Sequence, residues 1–278
     1  MRIRIVVPVC LVLAALFTGR ADAQFAARQT VPGENFHLEL AGMFWSPTPG
    51  IVIGSDGLAA VSPTGVDFVQ EFGIENKRFT EFRAVLKGGR SKLRFAKLPF
   101  RYQESALLQR TITFGGRTFN VSANATADLE WDTWTIGYEN DFISRPRGYF
   151  GFITEFRYNR LRANLSATSN GTTVSSLSEV KAPVPAFGVV ARVYPHRNVS
   201  VTGEITGFKV PGFLADKLFS ADNVDANLRN IDIYATVSIT RFFGIQGGYR
   251  SLTADYVVDD DTGDLEMKGP YFGGMVRF

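Results

Sequence analysis
From residue 35 to Phe278, apolar and polar positions alternate with period two, and helical periodicity is almost absent. Residues 231–240 are the clearest case. Ile231, Ile233, Ala235, Val237 and Ile239 form one face, and Asp232, Tyr234, Thr236, Ser238 and Thr240 the other. Residues 36–44, 150–158 and 199–208 repeat the pattern, while 93–103 and 245–256 are noisier. The alternation predicts ten strands, at 35–45, 78–87, 92–103, 126–142, 148–164, 178–194, 198–208, 229–240, 244–256 and 267–278. Most reach the roughly 9–11 residues that a tilted strand needs to cross a bilayer. Eight or twelve strands stay open, depending on residues 50–72 and the noisier segments.

The connections alternate in length. Short turns are expected at Gly88-Gly89-Arg90-Ser91, 143–147, 195–197 and 241–243, and long loops at 46–77, 104–125, 165–177, 209–228 and 257–266. With the chain starting in the periplasm, every short turn falls on that side and every long loop outside, as in a membrane barrel. A soluble sandwich has no reason to sort its loops by parity. Within the long loops, 107–122 reads as a protruding hairpin turning at Gly115-Gly116, and 213–221 as one or two helical turns.

The first 23 residues read differently. Arg2 and Arg4 precede a 13-residue apolar run at 5–17, and Ala21-Asp22-Ala23 is a small-x-small cleavage site, so 1–23 reads as a secretory signal peptide. As a helix the run would span only about 20 Å, short of the roughly 30 Å hydrocarbon core. Residues 24–34 are then a periplasmic N-terminal segment, and 35–278 the barrel. Cleavage removes three of 30 basic and one of 27 acidic residues, leaving a net charge of +1. The basic precursor is therefore no sign of a nucleic-acid partner. It also removes Cys10, the only cysteine, so no disulfide holds the fold. A content of 45% hydrophobic residues excludes a disordered chain.

The polar face is heavily charged. It carries Glu39, Glu81, Arg83, Arg94, Glu139, Asp141, Glu155, Arg157, Arg192, Glu204, Asp232, Arg250 and Arg277. Arginine dominates its cations, which suits an enclosed network of multiply paired charge. The chain ends in an apolar face of Phe272, Gly274, Val276 and Phe278, where a soluble domain frays into polar residues. This terminal strand resembles that of bacterial outer-membrane β-barrel proteins, and the strand and loop pattern extends the resemblance over nearly the whole mature chain. The resemblance implies a transmembrane antiparallel up-and-down barrel in the outer membrane. It also implies outer-membrane lipid as surroundings, and reading of the terminal strand by the barrel-assembly machinery. Aromatics near strand ends fit interfacial girdles: Phe36, Phe44, Trp45, Trp134, Tyr138, Phe142, Tyr149, Phe150, Tyr194, Phe242, Phe243 and Phe278.

Candidate chemistry is sparse. Ten strands is the count of the omptin proteases, but their site needs an extracellular histidine, and the two here, His37 and His196, are expected at the periplasmic end. The same two are the only bases for an activated serine. The reading is therefore not an enzyme, with catalysis by carboxylates alone the remaining route. The run from Asp259 to Glu266 is rich in carboxylates but lacks EF-hand spacing, and reads as a hairpin with Thr262-Gly263 at its tip. No cofactor and no zinc site are expected. Asn120 and Asn124 head glycosylation sequons that carry no weight in a bacterial barrel.

Seven acids against six arginines in a ten-strand interior point to a plugged lumen rather than a one-sign selectivity ring. The expected function is a structural or surface-binding barrel with an extracellular ligand. A narrow channel for small or hydrophobic solutes is the alternative, with Pro99, Pro183 and Pro185 as interruptions for a sideways exit.

Overall fold
The computed structural model describes residues 32–55, 65–169, 172–209, 224–258 and 261–278. The expected signal peptide at 1–23, the segment 213–221 expected to form helical turns, and the pair Asp259-Asp260 lie outside them. The strands are β1 (Leu38–Trp45), β2 (Thr48–Ser55), β3 (Val66–Asp67), β4 (Phe79–Gly88), β5 (Ser91–Leu107), β6 (Ile112–Phe114), β7 (Arg117–Phe119), β8 (Asn124–Arg145), β9 (Gly148–Ser169), β10 (Thr172–His196), β11 (Val199–Lys209), β12 (Val224–Ser238), β13 (Phe243–Val258) and β14 (Asp261–Arg277). A short helix, α1 (Phe68–Phe72), follows β3.

Ten of these strands form an antiparallel ring in the order β1-β4-β5-β8-β9-β10-β11-β12-β13-β14, and β14 closes on β1. At the seam Glu39 faces Arg277 and Trp45 faces Tyr271. The Arg277 guanidinium donates to Glu39 at 2.5 Å on the inner side. Phe44 meets Phe272 on the outer side with ring centroids 5.7 Å apart. The last residue joins the ladder, since Phe278 N–H donates to the Leu38 carbonyl.

Several expected loops are strand instead. β2 also pairs with β14, from Thr48 opposite Lys268 to Ser55 opposite Asp261. β1 and β2 are thus one barrel strand broken at Ser46-Pro47, where proline cannot donate to the ladder. Residues 48–55 join the barrel without changing its strand count. β9 and β10 stay paired as far as Ser169 and Thr172, so 165–169 and 172–177 are strand and not loop. β13 and β14 likewise run to Val258 and Asp261, which puts Thr262 and Gly263 inside a strand and not at a tip. Period-two alternation continues through these stretches. They resembled loops because their polar content rises once the strands leave the membrane.

That rise shows in single strands. Along β8 the inward residues are Ala125, Ala127, Leu129 and Trp131, then Thr133, Thr135, Gly137, Glu139 and Asp141. The outward ones are Asn124, Thr126, Asp128, Glu130 and Asp132, then Trp134, Ile136, Tyr138 and Phe142. Along β9 the outward row runs from Phe150, Phe152, Phe156 and Tyr158 to Arg160, Arg162, Asn164 and Ser166. The same pleated face therefore reverses its chemistry with height. Below Trp134 and Tyr158 the barrel is apolar outside and polar inside, the arrangement for lipid. Above them it is polar outside and apolar inside, like a water-soluble barrel.

The upper interior is filled by other elements. Gly115 and Gly116, both at positive φ, make the tight turn between β6 and β7. This hairpin folds inward rather than protruding, and buries Phe114 and Phe119. Asp67 caps α1 by accepting from Val69 N and Gln70 N at 3.0 Å, and Gly73 ends it in the left-handed conformation. Phe68 of α1 meets Phe114 edge-on at 5.9 Å, and Arg110 binds Glu71 at 2.5 Å to tie the hairpin to the helix. Eight of the twelve expected girdle aromatics face outward. Phe36, Trp45, Tyr149 and Tyr194 are buried instead. They occupy strand ends, where the period alone does not say which side of a girdle position is wet.

The reversal makes a prediction within one face of one strand. Ile136→Arg is expected to cost about 2–4 kcal/mol, the cost of a cation on the lipid face. Asp128→Arg, eight residues higher on that face, is expected to stay within about 0.5 kcal/mol as an ordinary surface change. Denaturant unfolding from liposomes measures both, and equal costs would contradict the two-zone wall.

Candidate functional site: the interior charge network
All thirteen charged residues expected inside the barrel have side chains directed into it, and each has a partner among the described residues. Glu81 binds Arg83 at 2.8 Å and Arg250 at 3.0 Å, and Arg83 reaches Asp232 at 3.3 Å. Arg94 bridges Glu139 at 2.9 Å and Glu204 at 2.6 Å. Arg157 binds Glu155 at 2.6 Å and Thr206 at 2.9 Å. Arg192 takes Thr202 at 2.8 Å and Tyr234 at 3.2 Å. Asp141 pairs with a lysine below, and Glu39 with Arg277 at the seam.

These bonds cross the lumen. In the ring order β5 and β11 are four strands apart, as are β4 and β12, so Arg94–Glu204 and Arg83–Asp232 span the interior instead of running along its wall. Tyrosines join the chains. Tyr234 donates to Glu204 at 2.7 Å, and Tyr271 to Asp232 at 2.8 Å with the Arg83 guanidinium 5.1 Å from its ring. A void lined by Glu81, Arg83, Arg94, Glu155 and Asp232 measures about 60 Å³. That holds a few waters and no larger solute.

Three members escaped the sequence reading. Lys92 binds Glu139 at 2.6 Å and Asp141 at 2.9 Å, with its ammonium 3.8 Å from the Tyr149 ring centroid. Lys87 and Glu34 form an ion pair, and Tyr194 hydroxyl also binds Glu34. Arg192 holds the other side of that carboxylate at 3.0 Å. Lys87 and Lys92 were in reach of the sequence, being in phase with Arg83 and Arg94 on alternating strands. Glu34 was not. It belongs to a turn of 3₁₀ helix, Pro32–Glu34, that seats in the periplasmic mouth, where no period marks it. Burial alone would raise the Glu34 carboxyl, but Arg192, Lys92 and Lys87 outweigh it and hold the group well below the usual carboxylate range. With these additions eight carboxylates face eight cations.

A layer of rings roofs the network. Trp45, Phe79, Phe100 and Trp131 pack with centroids 4.9–5.5 Å apart, and the Arg250 guanidinium lies 5.2 Å below Trp45. Trp45 donates to the Gly269 carbonyl at 3.0 Å. A Cβ at Gly269 would lie 2.3 Å from the Ser46 carbonyl, so the break in the first strand requires glycine opposite.

Other candidate chemistry disperses. His37 and His196 are both exposed at the periplasmic rim, away from the extracellular face. No group of three or more His, Cys, Asp or Glu converges on a metal position among the described residues. In the expected acidic run, Asp264 is paired in the sheet opposite Asp255. Its carboxyl is pushed up by partial burial and by the charges of Asp255 and Glu266. Phe272, Gly274, Val276 and Phe278 all face outward along the terminal strand.

Comparison with known proteins agrees with the architecture. No known protein family and no curated sequence matches the chain. Among solved structures, the outer membrane protease OmpT of Escherichia coli is similar, with a TM-score of 0.51 and 8% identity over 91% of this chain and all of that one. The toluene transporter TodX of Pseudomonas putida gives 0.39 at 8% identity, over 89% of this chain and 92% of its own. Ail, the attachment invasion locus protein of Yersinia pestis, gives 0.33 at 10%, over 86% and 98%. The fold is that of the bacterial outer-membrane β-barrels. With its apolar outer band and closed seam, the chain is a ten-stranded barrel of the Gram-negative outer membrane.

Two predictions test the network. Arg94→Met strips Glu204 of its only described cation and is expected to cost about 3–5 kcal/mol, whereas Arg94→Met with Glu204→Gln recovers much of that loss. Additive losses in a double-mutant unfolding cycle would refute the pairing. Glu34 sets a pH window. Its folded carboxyl lies below the ordinary value of about 4.3, so its contribution is fully present above that value and lost only as pH falls through the lowered one. Hydrogen exchange at residues 33–36 should be unchanged between pH 7 and 5 after correction for intrinsic rates, and faster at pH 7 in Glu34→Gln. Release of the segment near pH 6 would contradict the assignment.

Proposed function
We propose that this barrel is non-conducting, that it is not an enzyme, and that it acts as a structural or surface-binding protein through its extracellular hairpins. The observation that carries the reading is occlusion at three levels. Glu34 and its partners narrow the periplasmic mouth, where they line a cavity of about 310 Å³. Lumen-spanning ion pairs fill the membrane section. Above the ring layer, α1 and the β6–β7 hairpin fill the rest with Phe68, Phe72, Phe114 and Phe119. A one-sign ring would favour ion passage, whereas balanced and mutually bonded charge favours a plug. Placement of both histidines at the periplasmic rim supports a non-catalytic role. β8, β9 and β10 extend eight or more residues beyond the membrane boundary, which supports a role displayed outside the cell. The outward aromatic face of β14 supports its recognition by the barrel-assembly machinery.

The solute-channel alternative finds less support. Pro183 and Pro185 lie in an unbroken β10–β9 ladder, at the height where β10 extends beyond its pairing with β11. Proline is tolerated at such an edge without marking an exit.

The test is conductance. Protein with heat-modifiable gel mobility, and hence folded, is expected to give no steady current in planar bilayers. Arg94→Ser combined with deletion of the β6–β7 hairpin is expected to open measurable current. Steady conductance by the unaltered chain would overturn the plugged reading.

A further inference from the structure
The interior network is neutral, but the periplasmic mouth beneath it carries spare charge of both signs. The four short turns, at 88–91, 143–147, 195–197 and 241–243, hold five arginines and no acid. Two of these arginines, Arg90 and Arg145, line the cavity of about 310 Å³ in the mouth, together with Glu34, Asp141, Tyr149 and Tyr194. That is the size of a small ligand pocket. Both arginines are exposed, and neither guanidinium has an ion-pair or hydrogen-bond partner among the described residues.

The acids of the cavity are placed differently. Glu34 is fully engaged, its carboxylate held by Lys87, Arg192 and Tyr194. Asp141 is not. Its side chain is only 5% exposed, and Lys92 divides one ammonium between Glu139 and Asp141 Oδ2. Asp141 Oδ1 has no hydrogen-bond partner among the described residues. A buried carboxylate oxygen without a donor is rare enough to need a reason. The backbone supplies a second sign. The β8–β9 ladder shifts register between Asn140 and Ile143, and Asp141 N–H leaves it to donate to the Arg90 carbonyl at 2.9 Å. Bulges of this kind re-aim a side chain, and they gather at functional sites.

We infer that the mouth binds an α-amino-acid group, with its ammonium on Asp141 Oδ1 and its carboxylate on Arg90 and Arg145. An ammonium supplies the donor that Oδ1 lacks, and guanidinium groups match a carboxylate in planar geometry as well as charge. A simple anion would leave Oδ1 bare, and a simple cation would meet two unpaired arginines. A group with both charges on one carbon satisfies both ends. The Tyr149 and Tyr194 rings form the apolar part of the wall against the rest of the ligand. The inference does not rest on the surface-binding reading. The cavity lies at the opposite end from the hairpins, and steady conductance through the lumen would leave it in place.

The experiment titrates alanine into the full chain folded in detergent, with the dissociation constant read by NMR of the ligand. Saturable binding of alanine is expected, with N-acetylalanine, which lacks the ammonium, and alanine amide, which lacks the carboxylate, each weaker by about tenfold or more. Arg90→Gln with Arg145→Gln changes two exposed turn residues and is expected to abolish the preference for alanine over its amide while heat-modifiable mobility is unchanged. Asp141→Asn is expected to abolish the preference over N-acetylalanine. Arg241→Gln, on a short turn outside the cavity, is expected to change neither. Nε-acetyl-lysine carries the same group on a longer arm. Its binding beside alanine assigns the group as part of a larger molecule as well as free, and its exclusion assigns the free amino acid. No saturable binding of alanine, equal binding of the two blocked compounds, or undiminished binding in the double arginine variant would each overturn the assignment.

Discussion

Every feature of this chain follows from the lack of water in the hydrocarbon layer. A backbone amide there has no solvent partner, so each N–H and carbonyl must be bonded within the protein, and an open sheet edge is not tolerated. The β1–β14 seam meets that requirement. It is fixed by register along the ladder, by the Arg277–Glu39 pair inside and by the Phe44–Phe272 contact outside. Phe278 joins the closure through its backbone, its N–H donating to the Leu38 carbonyl and its own carbonyl accepting from His37 and Leu38.

Closure turns the ordinary rules of burial inside out, but only over the height of the bilayer. In the membrane section lipid takes the apolar side chains, and the interior is left to groups that bond one another. Ionised groups in so narrow a space are tolerated only when paired. Eight against eight is the neutral solution, and bonds across the lumen satisfy it while leaving room for little more than water. Above the bilayer water replaces lipid, and the same strands bury Leu129, Leu161 and Leu165 while turning Asp128 and Arg162 outward, each half-buried. The ring layer of Trp45, Phe100 and Trp131 stands at the change of regime, with charge on one side and an apolar core on the other.

The two zones also divide the labour of the molecule. The membrane section is cross-linked by ion pairs that span its interior. The projecting section is a small soluble-type β-domain, whose hairpins rest on α1 and on the inward fold of β6–β7 rather than on lipid.

The sequence by itself determined the class of fold. Period-two alternation, the parity of the connections and the inward phase of residues such as Glu81, Arg94 and Glu204 are local properties, because neighbouring side chains on a strand must point to opposite faces. They made the ten strands and all thirteen interior charges legible. The ends of the strands were less so. Polar residues at 104–107, 165–169 and 172–177 resemble a loop when the solvent is unknown, and only the sheet pairing shows that the strands continue into water. Partners were not legible at all. Nothing local says that Arg94 reaches Glu204 or that Arg83 reaches Asp232, because those contacts exist only once the ring has closed and brought strands four apart face to face. The seat of Glu34, the inward fold of the β6–β7 hairpin and the meeting of Arg90 and Asp141 at one cavity were likewise decided by tertiary structure. Each joins residues whose proximity is set by barrel register and not by spacing along the chain.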